Sequence, residues 1–173
     1  MKQQILKLRK ESEKASRIMG AKSIEFFDYP DNEMDKISNL EITKTIEEII
    51  RKFNPEKIFT HTNHDINIDH KKIYEAVLTA TRPTQKQNVK EVITFEIPSS
   101  TEWNFSSNFS PNIFSNISKQ LVYKIKALNA YKTEIRDYPH PRSLKAIEII
   151  SKRWGTVAGY SAAEAFCLIR KLD

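Results

Sequence analysis

Short apolar runs bounded by turn residues alternate along this chain with longer stretches of helical period, and that alternation restricts the fold more than any other feature. Residues 3–19 place Ile5, Leu8, Ala15 and Met19 on one helical face, with Ser12 in the remaining position of the stripe and Gly20 as the C-terminal stop. Ile24 to Phe27 reads as a strand closed by Asp28-Tyr29-Pro30, and a polar loop runs on to about Asn39. A helix over residues 40–53 carries Ile42, Ile46, Ile49 and Phe53 on one face and stops at Asn54-Pro55. Lys57 to Thr60 is the next strand, and Ile73, Val77 and Ala80 mark a helix ending before Arg82-Pro83. Val92 to Ile97 is nearly continuous in apolar residues, as a strand covered on both faces requires. Beyond an aromatic, aperiodic stretch from Ser99 to Asn112, Ile117, Leu121, Ile125 and Leu128 mark a fourth helix. Ser143 caps a fifth, with Leu144, Ile147 and Ile150, and Ala163 to Ile169 closes the chain as a strand. The pattern predicts a single α/β domain over residues 1–173, a mostly parallel sheet with helices on both faces.

Composition removes several classes of function. The chain has 173 residues, enough for one core, and no apolar run long enough for a membrane span; its charged N-terminus is unlike a signal peptide, so a soluble cytoplasmic protein is expected. A single cysteine, Cys167, excludes an intrachain disulfide and any multi-thiolate zinc site. None of the three glycines falls in a dinucleotide-binding or P-loop pattern. The net charge of +6 is concentrated in residues 1–22, which hold seven basic side chains against Glu11 and Glu13. No recognition motif accompanies this basic helix, so it reads as a solvated face and no nucleic-acid partner is expected.

In such a sheet, ligands sit beyond the carboxyl ends of the strands. That rule singles out Asp28, the segment from His61 to His70, and Ser99 to Trp103, three polar stretches that each follow a predicted strand. Three of the four histidines fall in HTNHDINIDH at positions 61–70. His, Asp and Asn at this density suit metal ligation, orientation of a ligand, or proton relay. Asp69 or Asp65 is placed to fix the tautomer of His70. The alternative is a polar loop whose Asp and Asn side chains satisfy turn backbone. Asp65, Asn67 and Asp69 imitate the opening of an EF-hand loop, but His70 stands where glycine is needed and Ala76 where glutamate is needed, which disfavours calcium.

An ordered set of segments resembles the PIG-L/LmbE-like deacetylases: Arg9-x-Glu11 with Ala15 and Gly20; Phe59-Thr60-His61 with Asp65-x-Asn67-x-Asp69-His70; Ala80-x-Arg82-Pro83; Ser99 to Trp103; Pro139 to Ser143; and Ala163 to Phe166. The resemblance implies a Rossmann-like three-layer α/β sandwich. It also implies zinc-dependent hydrolysis of the acetamido group of an N-acetylglucosamine-type sugar or conjugate, a small-molecule substrate. His70 matches a zinc ligand of the family, and Asn67 stands where many members have an assisting histidine, with His64 or His61 as substitutes. Asp69, His64 and Arg142 are the expected catalytic residues; Arg9, Asn67 and Trp103 are the expected substrate contacts, the arginines holding hydroxyls or a developing oxyanion and Trp103 stacking on a sugar face.

The family's His-Pro-Asp-Asp-Glu motif, which carries the remaining zinc ligands and the general base, does not occur in this sequence. The expectation is a domain truncated at its N-terminus, whose open strands are covered by a complementing N-terminal segment or by a second copy of the chain, or a fragment of a longer product. A non-catalytic sugar-binding or scaffold protein that keeps the fold without the metal is the alternative.

Overall fold

In a computed structural model, which describes residues 2–84 and 88–173, the helices and strands follow one another much as their periods predict, and the class is α/β. The chain divides into two units, Met1–Asp28 with Phe114–Glu164 and Tyr29–Ile113 with Ala165–Asp173.

The second of these units holds helix α2 (Asn39–Phe53), strand β1 (Lys57–His61), helix α3 (Ile68–Ala80), strand β2 (Glu91–Phe95) and most of the final strand. Helix α2 starts at Ser38, whose hydroxyl accepts the Glu41 N–H, and ends at Asn54 in the left-handed conformation (φ 45°) just before Pro55. Ile50, Val77, Ala80, Val89 and Val92 form a core against which Ile46, Ile58, Ile73 and Leu78 pack. A neighbouring cluster of Met34, Ile42 and Ala76 takes in Tyr29 and Ile37. Strand β1 pairs in parallel with β2, His61 lying opposite Phe95.

In the other unit, helix α1 (Lys2–Met19) packs on helix α4 (Leu121–Leu128) through Ala15, Ala127 and Ala130, joined by Ile18 and Tyr131. The small side chains bring the helices together on the Ala15 side of the predicted stripe, so its larger members, Ile5, Leu8 and Met19, remain exposed. Glu11 is buried instead, and its carboxylate accepts the Thr133 hydroxyl at 2.7 Å. Gly20 is left-handed (φ 71°), and the next residue, Ala21, donates to Ser16 O, closing the C-terminus as expected. Helix α5 (Leu144–Ala158) starts at Ser143, whose hydroxyl accepts the Ala146 N–H.

Strand β3 (Ile113–Asn116) and strand β4 (Ala163–Lys171) complete the four-stranded sheet, in the order β1-β2-β4-β3. The parallel character is partial, because β2 and β4 run antiparallel, with an irregularity between Val92 and Ile93. An apolar run reports that both faces of a strand are covered, not which way its neighbour runs. Strand β3 has no counterpart in the predicted set. Conversely, Ile24–Phe27 lies in no strand of the structure and its apolar side chains are exposed.

Candidate active site

Strand β1 ends in His61, and the chain then turns through Thr62 to Asn67 into α3. The neighbouring β2 ends level with it, and Thr62 N donates to Phe95 O at 3.2 Å, so the loops that leave the two strands begin side by side. Two of the three polar segments singled out in the sequence therefore converge here. Asp28, the third, belongs to the other unit, where it pairs with Arg9.

Asp65 organises the turn. It is fully buried, and its Oδ1 accepts the Asn67 N–H at 2.8 Å in an Asx turn. Its Oδ2 faces His70 Nδ1 at 2.9 Å and accepts the Thr101 hydroxyl at 3.4 Å. A carboxylate in that position accepts a hydrogen bond from Nδ1–H, which keeps the proton on Nδ1 and leaves the His70 Nε2 lone pair free for chemistry. Of the two carboxylates placed to orient His70, the structure uses Asp65.

Asp69 is employed differently. Its two oxygens accept the backbone N–H groups of Asn32 (2.6 Å) and Met34 (2.9 Å), clamping the loop before α2 to the first turn of α3. Asn67 caps α3, its side-chain oxygen accepting the Asp69 and His70 N–H groups while its amide donates to Asn32 Oδ1 at 3.0 Å. Both residues expected in catalysis or substrate binding are thus engaged in holding the turn.

His61 lies flat on His70, ring centroids 4.2 Å apart and planes within 8°. Burial, and then the adjacent His70, push the His61 imidazole down to about 4, Asp65 pulling weakly the other way. His61 is therefore neutral at pH 7, and its Nδ1 is buried without a hydrogen-bond partner among the described residues. His64 is half-buried beside this stack in sequence, its backbone N–H donating to the Thr62 hydroxyl. Trp103 is 44% exposed on the loop that follows β2.

Arg9 and Arg142 lie in the other unit. Arg9 is ion-paired with Asp28 and its guanidinium sits over the Phe26 ring. Arg142 holds Glu134 at 2.7 Å, and its backbone N–H donates to His140 Nδ1 at 3.0 Å. Cys167 donates its thiol to Ser110 O, and burial pushes its pKa up, as for an unreactive thiol. The sequence reading singled out the segment from Ser99 to Trp103 but not Thr101 within it as the group that reaches Asp65, which no spacing reports. It also missed the His61 stack, for which the shared segment was a signal.

The fold and the site define an α/β protein with an oriented histidine at the carboxyl end of a parallel strand pair. Residues 2–81, which include the whole histidine segment, match the PIG-L family model, GlcNAc-PI de-N-acetylase. Among solved structures it is similar to a conserved protein of Thermus thermophilus (TM-score 0.75, 19% identity, 95% of this chain and 74% of that one). It is similar also to the N,N'-diacetylchitobiose deacetylase of Pyrococcus horikoshii (TM-score 0.73, 18% identity, 94% and 62%). A third is the pseudoaglycone deacetylase Dbv21 of an antimicrobial reagent (TM-score 0.67, 19% identity, 97% and 72%). At these identities the likeness is one of fold. Comparison with curated proteins finds no match.

Proposed function

We propose that this chain serves N-deacetylation, the hydrolysis of the acetamido group of a sugar or sugar conjugate to an amine and acetate. The observation that carries the reading is the Asp65–His70 pair at the end of β1, inside the segment that matches the deacetylase family. Hydrolysis of an amide needs a base to take a proton from water as its oxygen bonds to the acetyl carbon, and an acid to protonate the nitrogen as the C–N bond breaks. His70 Nε2, with Nδ1 fixed by Asp65, is built for both transfers: it takes the water's proton and returns it to the departing amine, while the water oxygen leaves in acetate. His61 covers one face of the ring.

The zinc ion implied by the resemblance would find one ready ligand in His70 Nε2. Catalytic zinc takes three protein ligands, and no three His, Cys, Asp or Glu side chains come together as a metal set among the described residues. These residues do not make a zinc site by themselves, and the proton transfers above are derived without one. The catalytic role of Arg142 and the substrate contacts of Arg9 and Trp103 rest on the sequence resemblance.

The test is acetate release from N-acetylglucosamine and N,N'-diacetylchitobiose, with and without added zinc. We expect release that falls by about 10²–10⁴ in His70→Gln. A chain that releases no acetate from either substrate under either condition would overturn the reading.

A further inference from the structure

The proton transfers assigned to His70 leave one atom of the reaction unserved. As the water oxygen bonds to the acetyl carbon, the carbonyl π pair moves onto the acetyl oxygen, and the negative charge gathered there needs a hydrogen-bond donor. Most donors of the turn after β1 are already committed. The N–H groups of Thr62, His64, Ile66 and Asn67 donate to Phe95 O, the Thr62 hydroxyl, Ser100 O and Asp65. Those of Asp69 and His70 go to the Asn67 side chain. The Thr101 hydroxyl is taken by Asp65 and the Asn67 amide by Asn32.

His61 is placed otherwise. Of its two ring nitrogens, Nδ1 is the one buried without a hydrogen-bond partner among the described residues. A neutral imidazole carries one N–H and one lone pair, and a buried N–H with no acceptor is rarer in folded chains than a buried acceptor with no donor. The lone pair therefore belongs on Nδ1 and the proton on Nε2. His70 has the opposite tautomer, its proton held on Nδ1 by Asp65. In both rings Nδ1 is the inward atom, resting on fully buried Asp65 in His70 and enclosed in His61, which leaves Nε2 as the outward atom of each. The rings lie flat on one another with centroids 4.2 Å apart. The stack thus offers a donor and an acceptor side by side, from two histidines of one segment.

Resting on the deacetylase reading, we infer that His61 is a second catalytic residue, its Nε2–H donating a hydrogen bond to the acetyl oxygen while His70 Nε2 takes the proton of the attacking water. No proton leaves His61. The bond strengthens as charge builds on the oxygen and relaxes when the carbonyl re-forms and the C–N bond breaks, so it favours the transition state over the bound substrate. The one lone pair of His61 is enclosed, so this ring does not compete with His70 for the water's proton.

The test measures acetate release from N,N'-diacetylchitobiose by the native chain, His61→Phe, His61→Asn and His61→Gln, with circular dichroism to confirm the fold of each. His61→Phe keeps a flat ring against His70 and removes the donor, so kcat should fall by about 10²–10³ with KM nearly unchanged. His61→Gln carries an amide N–H near the place of Nε2 and should recover part of that loss, whereas His61→Asn, shorter by one carbon, should not. Nitrogen NMR of the native chain at pH 7 should find the His61 proton on Nε2. A His61→Phe chain within a few-fold of the native kcat, a His61→Gln chain no better than His61→Phe, or a proton on Nδ1 overturns the inference and leaves the deacetylase reading standing. A native chain that releases no acetate brings down the deacetylase reading and this inference with it.

Discussion

Asp65 joins three parts of the site with one carboxylate: the turn backbone at Asn67, the imidazole of His70 and the hydroxyl of Thr101. Asp65→Asn keeps the shape and removes the charge, so His70 loses the acceptor that fixes its tautomer. We expect a stability loss of about 1–3 kcal/mol and a fall in acetate release, read by urea unfolding and by the assay above. His61 sets a pH dependence. Its imidazole titrates near 6.5 when unfolded and at about 4 when folded. Below pH 6.5 the unfolded chain takes up a proton that the folded chain refuses, so stability is full above that pH and is lost as pH falls towards 4. The loss amounts to about 3 kcal/mol at most. Urea unfolding at pH 7 and 4.5 in metal-free buffer checks this, and His61→Phe should flatten the difference. The histidine segment was legible as a candidate site from its composition alone. Which carboxylate serves which partner was not, because Asp65 and Asp69 are chemically alike and only the path of the backbone separates them. That path puts Asp69 against the Asn32 and Met34 N–H groups.

Helix α3 delivers His70 from its first turn, so its cap bears directly on the chemistry. Asn67→Ala removes the acceptor for two N–H groups and the link to Asn32, and should cost about 0.5–2 kcal/mol, seen as a lower urea midpoint. Asn67→Ser should recover much of that loss. Caps were among the most readable features of the chain: Gly20, Asn54 and Ser143 act where the pattern placed them, since capping is decided within a few residues. Strands were less readable, because a strand exists only where a partner edge does. Ile24–Phe27 has the composition without a ladder, while Ile113–Asn116 has a ladder without a distinctive pattern. Helix α1 shows the same limit, its stripe locating an apolar face but not which residues the α4 contact covers.

The chain is not laid out as one unit after another. Residues 29–113 are continuous, but their central strand β2 is flanked by β4, from the far end of the sequence. Deleting Ala165–Asp173 strips β2 of that partner. The shortened chain should lose protection of the Thr94 amide, which faces β4, in hydrogen exchange and the cooperativity of unfolding. The other unit is more divided still. Glu11 of α1 waits for a hydroxyl that lies 122 residues further on, at Thr133. At about 5–20 residues per second, a ribosome needs about 6–24 s to make that stretch. For that interval the first helix has neither its acid's partner nor the alanines of α4. Its fate is settled by the pace of translation and by whatever chaperone meets it before the fourth helix emerges.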